Sequence, residues 1–424
     1  MLAPTPASPE SAGMSKAALD RLDQHLKQRY IDAGRFPGTQ LLIYRRGKIV
    51  HSTVQGFADL ERKVPVKDDT IFRIYSMTKP ITSVAFMMLV EEGRVAIDEP
   101  VHRYIPEWKN LGVFQAGTTP AFLTKPPSRP MLIVDLLRHT SGLTYGFQQR
   151  SNVDATYREK KIGEVVKAGT LESMIEDLAK IPLEFSPGEA WNYSVSTDVI
   201  GYLIGLISGK PFEQFLKERI FNPLGMNDTD FFVPAEKAHR FAACYSADPE
   251  GGMTFHATER KGTLTLQDDP ATSSFLTPPS LISGGGGLCS TTSDYLTFCR
   301  ALLNGGELGG VRLLGPKTLK LMTSNHLPGG LDLPGLSRSL FSEATYNGIG
   351  FGLGFAVTMN PTQTLIAGSP GEYNWGGAAT TSFLIDPAEE LITIFMTQVL
   401  PSSAHPLRRE LRTMVYAAIT ESNL

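Results

Sequence analysis

The chain has 424 residues, 42% hydrophobic and 20% charged, enough for one large domain or two intertwined ones. Its 40 Lys and Arg stand against 43 Asp and Glu, a net charge of −3 with no dense basic run, which excludes a nucleic-acid footprint and an anionic-membrane patch as the organising feature. Three cysteines, Cys244, Cys289 and Cys299, without a CxxC, make neither a disulfide framework nor a zinc ribbon and read as buried thiols of a reducing compartment. The start, MLAPTPASPESAGMSK, lacks the basic head and apolar core of a secretory signal, and no apolar run is long enough to span a bilayer. A cytoplasmic location with no membrane partner is the expectation.

Ser15 to Asp32 reads as an amphipathic helix, with Leu19, Leu22, Leu26 and Tyr30 on one face and Ser15 as N-cap. TQLLIYRRGKIVHSTVQGFAD then reads as two strands around a turn at Arg46-Gly47. In the middle, MLIVDLLRH, LESMIEDLAK, VIGYLIGLISG and DYLTFCRALLN have helical period, and the connections, such as GVFQAGTTPAFLTKPPSRP, are long and rich in Gly and Pro. Gly284 to Gly287 reads as a tight turn. Towards the end FGLGFAVT, TTSFLID and LITIFMTQ read as strands, the last two around a turn at Asp386-Pro387. Pro406 to Thr420 closes the chain as a helix with Leu407, Leu411, Val415 and Ile419 on one face. The fold class is therefore α+β. An antiparallel sheet flanked by terminal helices comes from 1–90 and 285–424, a mainly helical domain from 91–284 is inserted, and a ligand cleft is expected between them.

The chemistry concentrates in FRIYSMTKP. Ser76 and Lys79 are three residues apart and so share a helix face. Ile81, Val84, Ala85, Met88 and Leu89 continue as an apolar stripe, so the helix is expected to be buried, ending near Gly93. Burial favours a neutral amine, and the positive end of the helix dipole acts in the same direction. A neutral amine beside a hydroxyl can take its proton and make serine a nucleophile without histidine. If the helix begins near Met77, Pro80 offers no N–H to the Ser76 carbonyl and the first turn should be irregular. In FSPGEAWNYS, Tyr193 falls near the start of an apolar helix, where a phenol held by a lysine can share protons as acid and base; the competing reading is a core tyrosine. In Trp375-Gly376-Gly377-Ala378, two glycines at the head of the strand Thr380 to Ile385 would let a substrate approach the backbone, and an N–H there could join that of Ser76 in an oxyanion hole.

Ser76-Met77-Thr78-Lys79, Tyr193-Ser194-Val195 and Trp375-Gly376-Gly377, in this order, resemble the three motifs of the family VIII carboxylesterases, which are similar in fold to class C β-lactamases and penicillin-binding DD-peptidases. LLRHTSGL (Leu136 to Leu143), FSPGEAWNYS and SGGGGLCSTTSDYL fit the same resemblance, which spans roughly Leu41 to Gln398. It implies Ser76 as acylated nucleophile, Lys79 and Tyr193 as a proton-relay pair with the first base open between them, and the N–H groups of Ser76 and of Ala378 (or Gly377) as oxyanion donors. It implies no cofactor and no metal.

Class C β-lactamases carry Tyr-x-Asn and Lys-Thr-Gly where this chain has Val195 and Trp375. The missing amide and cation replace polar recognition by apolar surface, so uncharged, apolar esters with short-to-medium acyl groups are the expected substrates, and the shared acylation machinery leaves weak activity on some cephalosporins open. Rival readings are a β-lactamase, D-amino-acid peptidase or acyltransferase of the same fold, and a sensor that kept the fold without catalysis. A Ser-His-Asp lipase is disfavoured because no G-x-S-x-G occurs; its best histidine, His139, reads as structural. No H-E-x-x-H or other close His cluster points to metal hydrolysis. Phe147 to Gly169 and Pro234 to Pro279 are expected to shape the substrate pockets, and the sequence leaves the oligomeric state open.

Overall fold

The structure is a computed structural model that describes residues 4–164, 169–247, 264–338 and 346–424. Helix α1 (Lys16–Leu26) starts where Ser15 accepts the Ala18 N–H and buries Leu19, Leu22 and Leu26. The last predicted turn, Lys27–Ile31, is wider than α, with i→i+5 bonding, and still buries Tyr30. The next two strands, β1 (Gly38–Arg45) and β2 (Lys48–Asp59), meet at Arg46 and Gly47, both at positive φ (47° and 82°), the geometry of a tight two-residue hairpin turn. The short β3 (Val64–Pro65) adds to β2.

Helix α2 (Thr78–Glu91) is buried from Thr78 through Leu89, so the stripe foreseen from sequence is part of a helix covered on all sides. At its end Gly93 has φ 70° and open space beyond its Cα; the positive φ, not crowding, calls for glycine here. In the stretch read as a connection, β4 (Val113–Thr118) and β5 (Ala121–Lys125) form a hairpin. Helices α3 (Leu171–Leu178) and α4 (Ser196–Ser208) follow, and α4 packs on α2. Helix α5 (Thr292–Leu303) packs on the sheet.

FGLGFAVT is two strands, β6 (Ile349–Phe351) and β7 (Ala356–Thr358), folded on themselves at Gly352–Phe355, rather than one. Then come β8 (Tyr373–Gly376), β9 (Ser382–Asp386), β10 (Leu391–Met396) and helix α6 (Leu407–Ala417). Ile419 lies beyond α6 and bridges to Met14. The eight strands make one antiparallel sheet in the order β6-β7-β8-β9-β10-β1-β2-β3. Strand β1 is central, and all eight of its residues are buried. Leu41 and Ile43 face the core made with α1 and α6, while Leu42 and Tyr44 face the larger core shared with α2 and α5. Tyr373 and Trp375 of β8 and the buried α2 thus share the larger core. No helix among the described residues is long and apolar enough to cross a membrane.

Candidate active site

Ser76 lies in a single 3-10 turn, Tyr75–Met77, that leads into α2. The helix proper starts at Thr78, so Pro80 sits in its first turn, where a missing N–H costs nothing. The irregularity expected in the first turn takes the form of this 3-10 entry, with Tyr75, a non-glycine residue at φ 43°, next to the serine. Two short tethers hold this segment. Phe72 and Arg73 pair with Ser290 and Cys289, and the Thr78 hydroxyl accepts the Leu288 N–H. They bring the Gly284–Gly287 run against the start of α2.

Lys79, only 2% exposed, points into this junction. Its Nζ lies 2.6 Å from the Gly285 carbonyl oxygen, 3.1 Å from the Tyr145 hydroxyl and 3.3 Å from Ser76 Oγ. Burial lowers its pKa from 10.5 to about 7, and the charge of Asp198 opposes that shift. A neutral amine has two hydrogens and one lone pair. The Gly285 carbonyl and the Tyr145 oxygen take the two hydrogens, leaving the lone pair for the Ser76 hydroxyl.

Asp198, buried in the first turn of α4, accepts the Ser283 hydroxyl at 2.6 Å and the Gly285 N–H at 3.0 Å. The Tyr145 phenol also hydrogen-bonds it, which orients that oxygen towards Lys79. Burial raises the Asp198 pKa. Sequence reading missed Tyr145, Asp198 and Gly285. A carboxylate set among the apolar residues of STDVIGYLIG was the available signal for Asp198. Gly285 acts through its carbonyl, which no residue type announces, and a Cβ there would stand 2.5 Å from Asp198 Oδ2. The glycine run is therefore a close-packed wall of the site as well as a turn.

Tyr193 precedes α4 by three residues. Its ring centroid lies 4.5 Å from Lys79 Nζ, and its hydroxyl hydrogen-bonds Ser76. Burial among Tyr145, Trp191 and Trp375 raises its pKa, so the resting phenol keeps its proton. Trp375, on β8, lines the same cavity and directs its indole Nε1–H to the Tyr193 oxygen at 3.4 Å. Val195 is fully buried behind Gly163 and offers no cavity surface, so the apolar character expected from both substitutions rests on Trp375 alone.

Gly376 ends β8, and Gly377 and Ala378 form the turn into β9, not the head of a strand. The space that the glycines leave is filled by protein rather than kept for substrate. A Cβ on Gly377 would fall on the Ile74 carbonyl oxygen, two residues before Ser76, and one on Gly376 would meet Arg408. Gly376, Gly377 and Ala378 all line the cavity with Ser76, and the Gly377 N–H is donated to the Thr381 carbonyl at 2.8 Å.

His139, at φ 60° and fully buried, has Nδ1 3.2 Å from Ser194 Oγ and packs its ring 4.9 Å from that of Tyr193. Burial, with the Lys79 charge, pushes its pKa well below the usual histidine value, so it is a neutral packing residue. The cavity encloses about 780 Å³; among its lining residues are Phe147, Tyr157 and Ile162 from one expected pocket segment and Phe275 from the other. Residues 165–168 and 248–263 of those segments lie outside the described residues. All three cysteines are buried and unbridged. Among the described residues no group of His, Cys, Asp and Glu is arranged to hold a metal ion.

Comparison with known proteins gives a coherent picture. The family model "Beta-lactamase" matches residues 19–416. Esterase EstB of Burkholderia gladioli is 31% identical over 430 residues, covering 98% of both chains. Protein Rv1367c of Mycobacterium tuberculosis (strain ATCC 25618 / H37Rv) is 34% identical over 373 residues, 87% of this chain and 88% of the relative. Among solved structures, EstCE1, described as a hydrolase with promiscuous acyltransferase activity, superposes with a TM-score of 0.76 at 26% identity, covering 96% of this chain and 99% of its own. With a family model spanning nearly its whole length and the serine-lysine pair set at the start of a buried helix, the chain belongs to the beta-lactamase family.

Proposed function

We propose that the protein is a serine carboxylesterase that cleaves short-to-medium, uncharged acyl esters through an acyl-enzyme on Ser76. The observation that carries this reading is the buried Lys79 amine 3.3 Å from Ser76 Oγ, its pKa lowered to about 7. The likeness to Esterase EstB and EstCE1 supports the same reaction class and agrees with the family VIII resemblance of the motifs.

In acylation the Ser76 hydroxyl gives its proton to Lys79 Nζ as Oγ bonds to the acyl carbon, and the carbonyl π pair moves to oxygen. Lys79 is the first base in this reading, because the raised pKa of Tyr193 leaves its phenol protonated at neutral pH. The N–H groups of Ser76 and Ala378 receive the oxyanion; Gly377 is set aside because its N–H is held by Thr381. When the tetrahedral centre collapses, the bond to the alcohol oxygen breaks. Tyr193 passes its proton to that oxygen and is reprotonated from Lys79. Water then repeats the sequence in reverse roles and releases the carboxylic acid. Trp375 makes an apolar wall beside the serine, which favours esters without charge near the acyl group. β-Lactam opening uses the same acylation step and is expected as a slow side reaction.

Labelling with a fluorophosphonate followed by peptide mass spectrometry tests the reading. One stoichiometric adduct on Ser76, abolished in Ser76→Ala together with turnover of a short p-nitrophenyl ester, is the expected result. Full esterase turnover in Ser76→Ala would overturn it. The described acyltransferase activity of EstCE1 favours one further test, product partition between water and added alcohol.

A further inference from the structure

The proposed oxyanion hole depends on the orientation of one peptide unit, Gly377–Ala378, and that unit is gripped by a side chain. Arg408, near the start of α6, sends Nη2 to the Gly377 carbonyl oxygen at 2.9 Å and to the Thr381 carbonyl oxygen at 3.2 Å. The Thr381 carbonyl also takes the Gly377 N–H, so the turn between β8 and β9 closes around the guanidinium. Gly376 leaves room for it: a Cβ there would lie 2.5 Å from Arg408 Nη2.

The geometry of a peptide makes this grip directional. In a trans peptide the C=O and the following N–H point in opposite directions. Among the described residues the cis peptides precede Pro120 and Pro401, so this one is trans. Fixing the Gly377 oxygen on Arg408 fixes the Ala378 N–H away from Arg408, and Ala378 lines the cavity that holds Ser76. A cation on the carbonyl oxygen also draws electron density from the peptide nitrogen, which makes its N–H a stronger donor.

We infer that Arg408 is a positioning residue for ester cleavage, aiming and polarising the Ala378 N–H toward the oxyanion that forms on the Ser76-bound acyl carbon. The inference rests on the reading of Ser76 and Ala378 given above. Arg408 lines the same cavity, but in this role it acts through the peptide it holds, and the C-terminal helix becomes part of the catalytic apparatus although it lies some thirty residues past the Trp-Gly-Gly motif.

The test compares wild type, R408K and R408Q on p-nitrophenyl butyrate, with n-butaneboronic acid as a probe that forms a tetrahedral anion on the serine. Loss of a whole oxyanion donor costs about 10²–10³ in kcat. A misaimed donor should cost roughly 10- to 100-fold in R408Q, with KM nearly constant. R408K keeps the charge and one donor and should recover much of the loss. Boronic acid affinity should weaken in step with kcat/KM across the three proteins, while the thermal midpoint of R408K stays near wild type. A merely structural role would instead lower the thermal midpoint and leave kcat/KM and boronic acid affinity uncorrelated in the folded variants. Wild-type kcat/KM in R408Q, or reduced kcat/KM in folded R408K with unchanged boronic acid affinity, overturns the inference. If wild type itself forms no Ser76 adduct, the functional reading has failed; if it does and R408Q behaves like wild type, only the role of Arg408 has.

Discussion

Lys79→Met separates the energetic cost of a buried amine from its chemistry. In the folded protein burial holds the Lys79 pKa at about 7; in the unfolded chain it returns to 10.5. Between those values the unfolded state binds more protons, so the amine makes stability rise with pH across the window; its cost is largest below pH 7 and vanishes above 10.5. One pH unit is worth about 1.4 kcal/mol where the amine is neutral when folded and charged when unfolded. Half-titration at pH 7 trims the first unit, so from pH 7 to pH 9 the unfolding free energy of wild type should gain roughly 2 kcal/mol on that of the variant. Methionine also leaves the Gly285 carbonyl and the acceptor side of the Tyr145 oxygen without the Lys79 donor. That penalty is independent of pH, so the slope carries the test and the intercept does not. Urea unfolding of both proteins at pH 7, 8 and 9 measures it. Repeating the pair on an Asp198→Asn background removes the response of that carboxyl to the loss of its cation. A difference that stays flat with pH would mean that the folded amine keeps its charge, and the proposed role of Lys79 as base would fall with it.

Three further outcomes follow from the same geometry. kcat/KM on a short p-nitrophenyl ester should rise with pH along a limb centred near 7, and Asp198→Asn should move that limb to lower pH, because the Asp198 charge opposes the desolvation of Lys79; a limb shifted to higher pH contradicts the assignment. Gly377→Ala places a methyl on the Ile74 carbonyl and should cost about 1–3 kcal/mol of stability together with most of the activity, whereas Gly93→Ala, strained only by its φ, should cost about 1 kcal/mol and leave kcat unchanged; equal thermal and kinetic effects for the two would refute this. Trp375→Phe keeps the apolar wall and removes the N–H aimed at Tyr193, so kcat should fall several-fold at nearly constant KM; a raised KM with kcat intact would make Trp375 a binding surface only.

The elements readable from the sequence are those whose burial is one-sided. Helices α1 and α6 lay one face on the sheet and showed it as a 3.6-residue period. The hairpin of β4 and β5 left no such trace: nearly all its residues after Val113 are exposed or half-exposed, so no alternation marks either face, and its Gly and Pro read as a connection. Gly352 and Gly354 in FGLGFAVT were the unread signal that one strand was two. The site divides in the same way. Ser76 and Lys79 are close because helical spacing makes them so. Tyr145, Asp198, Gly285 and Arg408 reach them through tertiary packing, two of them through backbone carbonyls, and no spacing rule encodes that.

The disposition of cations then bears on substrate choice. A carboxylate-bearing substrate needs a free positive group beside the β8–β9 turn, where related β-lactamases carry a lysine. Here that position is Trp375, whose N–H is turned toward Tyr193. The guanidinium that does reach the turn, Arg408, has Nη2 bonded to two backbone carbonyls. A substrate carboxylate drawn to Arg408 would pull on the same guanidinium whose Nη2 holds the peptide, so recognition of the anion would compete with oxyanion stabilisation. Nitrocefin turnover should therefore stay far below that of a neutral ester, and Trp375→Lys should narrow the gap by lowering the KM for nitrocefin while slowing the ester, because the new cation serves the carboxylate directly and the indole contact to Tyr193 is gone. If Trp375→Lys raises the KM for nitrocefin or leaves it unchanged, charge at this position does not govern the preference, and the cavity wall itself must be excluding the anion.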